Sequence, residues 1–508
     1  MLKYDLVVIG SGVGLNLLDA GLKRGLKCAL VESGKIGGTC LTRGCIPSKV
    51  LIYPADVIRE AQHAKRVGAH FTLEKIDWNL MAERMWSQIN ESKEMEASLQ
   101  NAPGLTFYKG IGQFIGEYQM QVQLGDKIET FEGEKFVIAS GARSVIPPIK
   151  GLEDIGYVTS ETFFGENFPR KPWKSLAIIG GGIIAAEFAH LFSAIGTKVT
   201  IIEMLPRLIS TEEPEISRLL EQNFHQLMTV LVNKKAVACE RKKNLKVITI
   251  EDVTTGTQSE VSAEEVLVAT GRRSNTDSLK VEKTGVEVDK RGWVKTNAFL
   301  ETTKANIWCI GDANGLFQFR HKANYEATIC AHNIFATENE RMMTDYSAVP
   351  WAIYTYPTIG HVGLTEKEAI DQGFKIYIAL NRYSSVAKGF SMGFNEDDID
   401  DGLVKLVIDQ SHRILGAHII GPHADLLVQP FVYLMNAGFV CDITGPGMDP
   451  EEKEPLLGYS KSCPESGSFM PIYRSQVIHP SLNEVTAWAF GSLRPVNIET
   501  KHHHHHQS

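Results

Sequence analysis

The chain has 508 residues, of which 43% are hydrophobic, so it has room for two to four domains with large cores. Its eight cysteines do not form the framework of a small disulfide-rich secreted protein. The net charge of −8 gives no basic surface for nucleic acid, and no apolar run approaches the roughly 18 residues of a membrane span. The first residues lack the parts of a signal peptide, so we expect a cytoplasmic protein. The histidine-rich tail, residues 501–508, resembles an expression tail or a natural metal-binding end, and no function is assigned to it.

The beginning of the chain predicts a strand, a glycine turn, a helix and a second strand. Gly10, Gly12 and Gly14 allow a sharp turn that places a pyrophosphate at the positive end of the following helix. Glu32 ends the second strand, where a carboxylate can accept hydrogen bonds from ribose hydroxyls. Leu15 stands where a third glycine is usual, so we expect altered packing between helix and sheet. The pattern predicts a dinucleotide-binding unit.

A second unit of the same kind follows later in the chain. Gly180 and Gly182 fill the first two glycine positions, Ala185 fills the third, and Glu203 ends the next strand. An ordinary tight turn would explain one glycine cluster alone. Two such units, each with a terminal acid, are better explained by two bound dinucleotides.

The acid of the second unit bears on the choice of nicotinamide cofactor. The carboxylate of Glu203 should repel a 2′-phosphate, so the sequence favours NAD over NADP. Arg207 and Arg218 are near enough in the sequence to leave NADP possible, because a guanidinium can accommodate that phosphate.

The remaining segments predict a discontinuous first domain and a distinct C-terminal region. The stretches 136–148 and 267–275 each resemble a strand that ends in a turn of small residues. Asp312 follows another apolar strand, where its carboxylate can bind a polyhydroxyl chain. From about Val349 the pattern changes to the strands of an α+β region, followed by a helix.

A close pair of cysteines lies in GGTCLTRGCIPSK, residues 37–49. On a regular helix Cys40 and Cys45 would be about 7.5 Å apart along the axis, whereas bridged cysteines need Cα atoms roughly 4.4 to 6.8 Å apart. Gly44 and Pro47 allow a departure from helical geometry, and a bridge held in such a turn should be easily reduced. Two unpaired core thiols remain the alternative.

Eight motifs, in this order, resemble the flavin-dependent pyridine nucleotide-disulfide oxidoreductases: GSGVG, GGTCLTRGCIPSK, ASGAR, GGGIIAAE, ATGR, CIGDA, VGLTE and HPSLNE. The resemblance covers nearly the whole chain and implies an α/β fold. It implies two Rossmann-like dinucleotide-binding domains, for FAD and for NAD, and a C-terminal α+β dimerisation domain. The expected boundaries are 1–150 and 276–346 for the two parts of the FAD domain, 151–275 for the NAD(P) domain, 347–500 for the dimerisation domain and 501–508 for the tail.

The resemblance also implies which residues hold the cofactors. The FAD contacts carried over from the family motifs are Gly10, Gly12, Gly14, Glu32, Thr39, Lys49, Ser140, Gly141, Gly311, Asp312 and Ala323. The NAD contacts carried over are Gly180, Gly182, Ile183, Glu203 and Gly271. Ile183 occupies the position of a side chain that moves aside for nicotinamide, although plain helix packing would explain it equally well.

Catalytic roles follow from the same resemblance. In the family the second cysteine lies against the flavin as a charge-transfer thiolate and the first exchanges with substrate, which implies these roles for Cys45 and Cys40. Lys49 is expected near the reactive flavin nitrogen, paired with Glu187, where an ammonium would favour the anionic reduced flavin. A domain-linking ion pair would also explain Lys49 and Glu187, and both interpretations can hold.

The motif IHPSLNEV supplies a candidate acid and base. The imidazole of His479 can carry the proton that a thiol must lose before it attacks a disulfide, and Glu484 can hold the ring. A surface turn with an unrelated acid would be the simpler interpretation. The resemblance implies that this motif reaches the Cys40/Cys45 pair from the other subunit of a homodimer.

The leading interpretation is a dihydrolipoyl dehydrogenase type of enzyme. It would pass electrons among NAD(H), FAD, the Cys40/Cys45 pair and a small thiol or disulfide, or a lipoyl group on a carrier protein. VTIIEMLPRLIS resembles dihydrolipoamide dehydrogenase and mercuric reductase, whereas YSSVAKGFSMG is more similar to mycothione reductase. The alternatives are therefore reduction of a low-molecular-weight disulfide and a non-catalytic flavin redox sensor. Nucleic acid, membrane and bound metal are not expected.

The stretch 441–478 is longer than the link that the family usually places before its His-Pro motif. Its prolines argue against a long helix. Cys463, within it, could relay electrons to a bulky substrate, but an exposed or structural thiol is the preferred interpretation.

Overall fold

A computed structural model describes residues 1–437, 470–481 and 483–489. Cys463 and most of the stretch 441–478 lie outside these residues. The first part of the chain forms the strands β1 (Leu2–Ile9), β2 (Cys28–Glu32), β3 (Leu105–Lys109), β4 (Ile111–Gly116), β5 (Gln119–Leu124), β6 (Lys127–Ile138) and β7 (Ala142–Ser144). Its helices are α1 (Gly14–Leu22), α2 (Gly38–Arg43), α3 (Cys45–His63) and α4 (Trp78–Gln100).

The second part contains the second glycine unit. Its strands are β8 (Ser175–Ile179), β9 (Lys198–Ile202), β10 (Thr229–Leu231), β11 (Lys234–Lys242), β12 (Leu245–Asp252), β13 (Gln258–Ala263), β14 (Glu265–Val268) and β15 (Arg272–Ser274). Its helices are α5 (Leu152–Ile155), α6 (Ser160–Phe163), α7 (Ile183–Ala194), α8 (Pro214–Leu227) and α9 (Thr276–Leu279).

The last part completes the first sheet and forms a sheet of its own. Its strands are β16 (Ile307–Cys309), β17 (Pro350–Ile353), β18 (Ile359–Gly363), β19 (Ile376–Arg382), β20 (Leu403–Asp409) and β21 (Ile414–Ile420). Its helices are α10 (Arg320–Asn333), α11 (Glu366–Asp371), α12 (Ala387–Ser391), α13 (Ala424–Asn436), α14 (Met470–Arg474) and α15 (Asn483–Ala487).

The first sheet takes strands from two separate parts of the chain. Its order is β3-β2-β1-β6-β5-β4, and β16 pairs in parallel with β6. Strand β1 is buried on both faces, since Leu6 and Val8 pack into one apolar cluster while Val7 and Ile9 pack into another. Burial on both faces is typical of parallel strands covered by helices. The pairing of β16 thus brings a late segment of the chain into the first sheet.

The second sheet repeats this plan and is tied to the first part by helix packing. Its parallel strands have the order β10-β9-β8-β14, beside the antiparallel sheet β11-β12-β13. Leu51 and Ala55 of α3 share an apolar cluster with Ala185, Phe188 and Ala189 of α7. This packing brings the beginning of α3, with the second cysteine, next to the helix of the second glycine unit.

The C-terminal part is an antiparallel sheet with the order β17-β18-β21-β20-β19, against which α13 packs. The α/β fold class predicted from the sequence, with two dinucleotide-type sheets and an α+β C-terminal region, is confirmed. The domain boundaries stay a prediction. Of the helices described, none has both the length and the apolar composition that crossing a bilayer requires.

Candidate active site

The two cysteines lie on either side of a break between helices. Helix α2 ends at Arg43, Gly44 takes φ −147° and ψ −116°, and α3 begins at Cys45. A Cβ on Gly44 would lie 2.9 Å from the carbonyl oxygen of Thr39, so only glycine fits. The predicted departure from helical geometry is therefore present at Gly44. Pro47 does not cause it, because Pro47 lies in the first turn of α3, where no intrahelical N–H bond is lost.

Both thiols are free in this structure, and their surroundings separate their acidities. The hydrogen bond with Cys40 lowers the pKa of Cys45 from 9.0 to about 6, and the charges of Lys49 and His479 act in the same direction. The same hydrogen bond and burial raise the pKa of Cys40. As the first residue of the 19-residue helix α3, Cys45 also lies at the positive end of a helix dipole. The surroundings therefore favour the thiolate on Cys45 and the thiol on Cys40.

An ion pair joins the helix of the cysteines to the second glycine unit. Lys49 Nζ lies 2.7 Å from Glu187 Oε2, and both side chains are largely buried. The other oxygen of Glu187 accepts a hydrogen bond of 3.0 Å from the backbone N–H of Tyr354, which follows β17. The ammonium of Lys49 lies 5.0 Å from the ring centroid of Tyr354. Glu187 thus holds Lys49 and the C-terminal sheet in one arrangement.

The histidine and its carboxylate meet the first cysteine. His479 Nε2 lies 3.3 Å from Cys40 Sγ, and His479 Nδ1 lies 2.6 Å from Glu484 Oε1. A carboxylate at Nδ1 holds the ring and stabilises its protonated form, so that Nε2 can take a proton from a thiol and return it. The surface-turn interpretation of the motif is therefore wrong, and the side chains predicted to be catalytic lie together.

Two residues that sequence reasoning missed position this histidine. Tyr354 donates its hydroxyl hydrogen to the carbonyl oxygen of Pro480. His321 accepts a hydrogen bond of 3.4 Å at Nδ1 from the backbone N–H of His479 and contacts the Pro350 carbonyl at 2.6 Å through Nε2. Burial lowers the pKa of His321 to about 4, so its ring is neutral and can accept that bond. Neither residue belongs to a recognisable motif.

His479 contacts Cys40 among the described residues of one chain. The family resemblance implies that this histidine serves the cysteines of the other subunit of a homodimer, and that sharing stays a prediction. The segment that carries His479 packs on α13, where Gln429 donates to the Gln476 carbonyl at 2.9 Å.

The first glycine turn has the shape that a dinucleotide requires. Gly10 has φ +101°, and a Cβ there would lie 2.2 Å from the Ala139 carbonyl oxygen. A Cβ on Gly14 would lie 2.8 Å from Val8, so the close packing of helix on sheet is made one position before Leu15. The packing of the helix on the sheet is therefore altered as expected, because the residue in closest contact is Gly14 and not the residue at position 15.

The other residues predicted to hold FAD surround the same turn. Glu32 accepts hydrogen bonds from the backbone N–H and the hydroxyl of Ser11 at 2.9 and 2.7 Å, so its carboxylate is fixed beside the turn. Ser140 Oγ is buried without a hydrogen-bond partner, an arrangement that a bound ligand would complete. The other residues predicted to contact FAD lie in nearby turns and helix starts. Gly12 lies in the first glycine turn, Thr39 at the start of α2 and Gly141 in the turn after β6. Gly311 and Asp312 follow β16, and Ala323 lies in the first turn of α10. The residues present fit FAD.

The second glycine turn repeats the first. Gly180 has φ +114°, and a Cβ there would lie 2.2 Å from the Ala269 carbonyl oxygen, the same contact that Gly10 makes. Gly182 caps α7 and Ile183 begins it, packed against the apolar cluster. Gly271 has φ +114° with open space around it. These residues form a second site with the shape of a dinucleotide turn.

The acid of the second turn is placed beside the glycines. Glu203 Oε1 accepts a hydrogen bond of 2.8 Å from the Leu205 N–H, and its other oxygen would lie 2.7 Å from a Cβ on Gly181. Arg207 donates to the carbonyl oxygens of Ser210 and Glu212, both at 2.8 Å. The guanidinium nearest to Glu203 in sequence is therefore engaged by its own loop.

Comparisons with known proteins point to one family. Residues 4–329 match the model described as pyridine nucleotide-disulphide oxidoreductase, and residues 349–444 match its dimerisation domain. Mycothione reductase of Mycobacterium tuberculosis (strain ATCC 25618 / H37Rv) is 33% identical over 448 residues, which are 86% of this chain and 94% of that protein. Dihydrolipoyl dehydrogenase of Chlamydia muridarum is 31% identical over 435 residues, or 84% and 89% of the two chains.

A solved structure has the same architecture. The HOCl-induced flavoprotein disulfide reductase RclA from Escherichia coli, as a Cu(II) complex, superposes with a TM-score of 0.74 at 26% sequence identity. The superposition covers 88% of this chain and 97% of that one. The likeness therefore extends over both dinucleotide-type sheets and the C-terminal part.

The acidity of Cys45 can be measured directly. In the reduced protein we expect thiolate absorbance in the ultraviolet to appear with a midpoint near pH 6, because the folded protein holds the pKa of Cys45 at about 6 rather than 9.0. Lys49→Met should raise this midpoint by removing a positive charge, whereas Lys49→Arg should leave it nearly unchanged. A wild-type midpoint near 9.0 would contradict the assignment.

A site shared between subunits, as the family resemblance implies, predicts that two inactive variants complement each other. Cys45→Ser and His479→Ala chains, mixed under conditions that exchange subunits, should form heterodimers with one intact site each, so the mixture should recover part of the wild-type disulfide turnover that neither parent shows. Native mass measurement of the mixed dimers is the control for exchange. Exchanged dimers without activity would show instead that His479 serves the cysteines of its own chain.

Proposed function

Because the chain belongs to the pyridine nucleotide-disulphide oxidoreductase family, we propose that it passes electrons between NAD(H) and a small dithiol or disulfide through FAD and the Cys40/Cys45 pair. The family binds FAD and uses NAD(P)H, and the dimerisation domain implies a homodimer. The observation that carries the proposal is the meeting of Cys40 with His479 Nε2 at 3.3 Å, beside an acidic Cys45.

The residues support thiol–disulfide exchange with balanced protons and electrons. In the reducing direction His479 accepts the proton of Cys40, and the Cys40 thiolate attacks one sulfur of the substrate disulfide. The substrate thiolate that leaves takes the proton from His479. Cys45 then attacks Cys40, which closes the internal disulfide and releases the second substrate sulfur as a thiol after it takes up a proton from water. Two electrons have moved from the cysteine pair to the substrate, and the oxidising direction is the reverse.

FAD, when bound, supplies the transfer of the electron pair between NAD(H) and the cysteines. We assign its binding to the first glycine turn and to Asp312, and the stabilisation of negative charge to the Lys49–Glu187 pair. That pair also links two parts of the chain, so the electrostatic and the structural interpretations agree. A cytoplasmic location stays a prediction.

Dihydrolipoyl oxidation is the leading proposal for the substrate, either as a small dithiol or as a lipoyl group on a carrier protein. VTIIEMLPRLIS and the 31% identity to dihydrolipoyl dehydrogenase support it. Reduction of a small disulfide is the second candidate, supported by YSSVAKGFSMG and by the 33% identity to mycothione reductase. A redox sensor is the third possibility, and it requires FAD to be bound without turnover.

The proposed activity is tested with the FAD-loaded protein and a panel of sulfur substrates. We expect NAD⁺ reduction with dihydrolipoamide to be faster than NADH oxidation with low-molecular-weight disulfides. Cys45→Ser should abolish turnover by more than about a thousandfold while retaining FAD, because the nucleophile that closes the exchange is lost.

Each alternative has its own outcome in this panel. Preference for a small disulfide would replace the leading candidate by the second. Bound FAD that NADH does not reduce would favour the sensor. Turnover by flavin-loaded Cys45→Ser near the wild-type rate would overturn the dithiol mechanism altogether.

We also propose that NAD rather than NADP is the nicotinamide cofactor, on the strength of Glu203. Glu203→Ala should raise the KM for NADH by about tenfold, because hydrogen bonds to a charged group are each worth roughly 1.5 to 3 kcal/mol, and should affect NADPH less. Gln222→Ala, at an exposed position on α8, is the control and should leave the preference unchanged. Unaltered cofactor preference in Glu203→Ala would show that another residue discriminates.

A further inference from the structure

A row of polar side chains crosses the C-terminal sheet. Trp351, His361, His418 and Lys405 are direct partners on the neighbouring strands β17, β18, β21 and β20. Residues in direct register on antiparallel strands point to the same face. The segment that precedes α8 covers this face, and it places the carboxylate of Glu212 over the two histidines.

The two histidines and the carboxylate form a compact, buried cluster. His361 Nδ1 lies 2.8 Å from Glu212 Oε2 and 3.2 Å from His418 Nδ1. The exposed fractions of Glu212, His361 and His418 are 1%, 1% and 0%. Each residue offers one ligand atom, and these atoms all lie within 4.8 Å of one another. The catalytic mechanism uses none of them.

The contacts of the Nε2 atoms of His361 and His418 show which ring nitrogen carries the hydrogen. His361 Nε2 lies 3.0 Å from the carbonyl oxygen of Gly363, and His418 Nε2 lies 2.9 Å from that of Leu364. Because a carbonyl oxygen only accepts hydrogen bonds, both Nε2 atoms carry a hydrogen. In a neutral ring Nδ1 then carries a lone pair and no hydrogen. Two lone pairs and a carboxylate oxygen therefore point at one another, and this arrangement requires a positive charge between them.

Either a proton or a metal ion can supply that charge, and the surrounding contacts favour a metal ion. In metal sites a ligating histidine donates its other N–H to a carbonyl or carboxylate, and a ligating carboxylate is itself hydrogen-bonded. Here both histidine rings donate their Nε2–H to a backbone carbonyl oxygen. The carboxylate is also hydrogen-bonded, because Glu212 Oε1 accepts from Trp351 Nε1 at 2.8 Å. The Trp351 ring also stacks on His361 at 3.5 Å between centroids and holds it in plane.

The nearby ammonium does not oppose a cation, because carboxylates already compensate it. Lys405 Nζ lies 2.9 Å from Glu213, 3.0 Å from Glu215 and 2.7 Å from Glu366. The region is therefore acidic even with Lys405 charged, and an added divalent ion would lower its net negative charge.

We propose that Glu212, His361 and His418 bind a divalent transition-metal ion of the zinc type. Zn²⁺ takes histidine nitrogen and carboxylate oxygen at about 2.0 to 2.2 Å, which requires ligand atoms roughly 3 Å apart, and two of the separations here are 2.8 and 3.2 Å. The ion joins the segment before α8 to two strands of the C-terminal sheet. Its role is to fix the second glycine unit against that sheet, and it takes no part in electron transfer.

The test measures metal in the full chain with serine in place of the five tail histidines, which would otherwise bind metal themselves. The protein is produced in medium supplemented with Zn²⁺, or with Co²⁺ as a spectroscopic probe, and freed of loose metal by gel filtration. We expect about one ion per chain, and at least about tenfold less in His361→Gln and in His418→Gln. Visible absorption of the Co²⁺ protein should disappear in the same variants.

Controls separate this cluster from other metal-binding groups and from misfolding. His225→Gln, an exposed histidine on α8, and Cys45→Ser should both keep the ion. Trp351→Phe retains a ring and removes only the N–H to Glu212, so it should weaken binding by about 10 to 100-fold in a folded protein. Two results would overturn the proposal: no ion in the protein with an intact cluster, or an ion that is lost in Cys45→Ser and kept in His361→Gln. In either case a bound proton would be the positive charge within the cluster.

Discussion

The redox pair depends on one backbone break, at Gly44. This residue has a conformation outside both helices, and the 2.9 Å approach of the Thr39 carbonyl leaves no room for a side chain. Because the break is there, Cys45 becomes the first residue of a long helix, and the dipole and Lys49 both favour its thiolate. A continuous helix would separate the sulfurs and remove the helix N-terminus from Cys45.

The site is assembled from segments that are far apart in the chain, and Glu187 is the residue that holds them. One of its oxygens binds Lys49, on the helix of the cysteines, and the other binds the backbone of Tyr354, after β17. Tyr354 then contacts the carbonyl next to His479. One buried carboxylate thus sets the position of the ammonium and, through Tyr354, of the histidine.

The sequence predicted those parts of the fold and site that local chemistry determines. Gly10 and Gly180 could be found because each turn needs a positive φ and a close carbonyl, and only glycine meets both conditions. Cys40 and Cys45 could be found because their spacing is unusual.

Contacts made across the tertiary structure could not be found in this way. The sequence predicts for Pro47 a part in the break that belongs to Gly44 alone, because the place of Pro47 in the first turn of α3 is visible only once the helix boundary is known. His321 acts through a backbone N–H of a distant segment, and the cluster around Glu212 depends on strand register. The contact of His479 with Cys40 joins segments that are far apart in the sequence.

The pairing of β16 with β6 has a consequence for synthesis on the ribosome. The first sheet remains incomplete until Ile307–Cys309 has emerged, although β6 is made well before the second glycine unit. The second glycine unit is continuous in the sequence and can fold first. During that time the edge of β6 at Val137 and Ile138 has no partner strand. Such an edge is a template for pairing with another chain. Chains that stop before β16 should therefore be aggregation-prone intermediates and depend on chaperones.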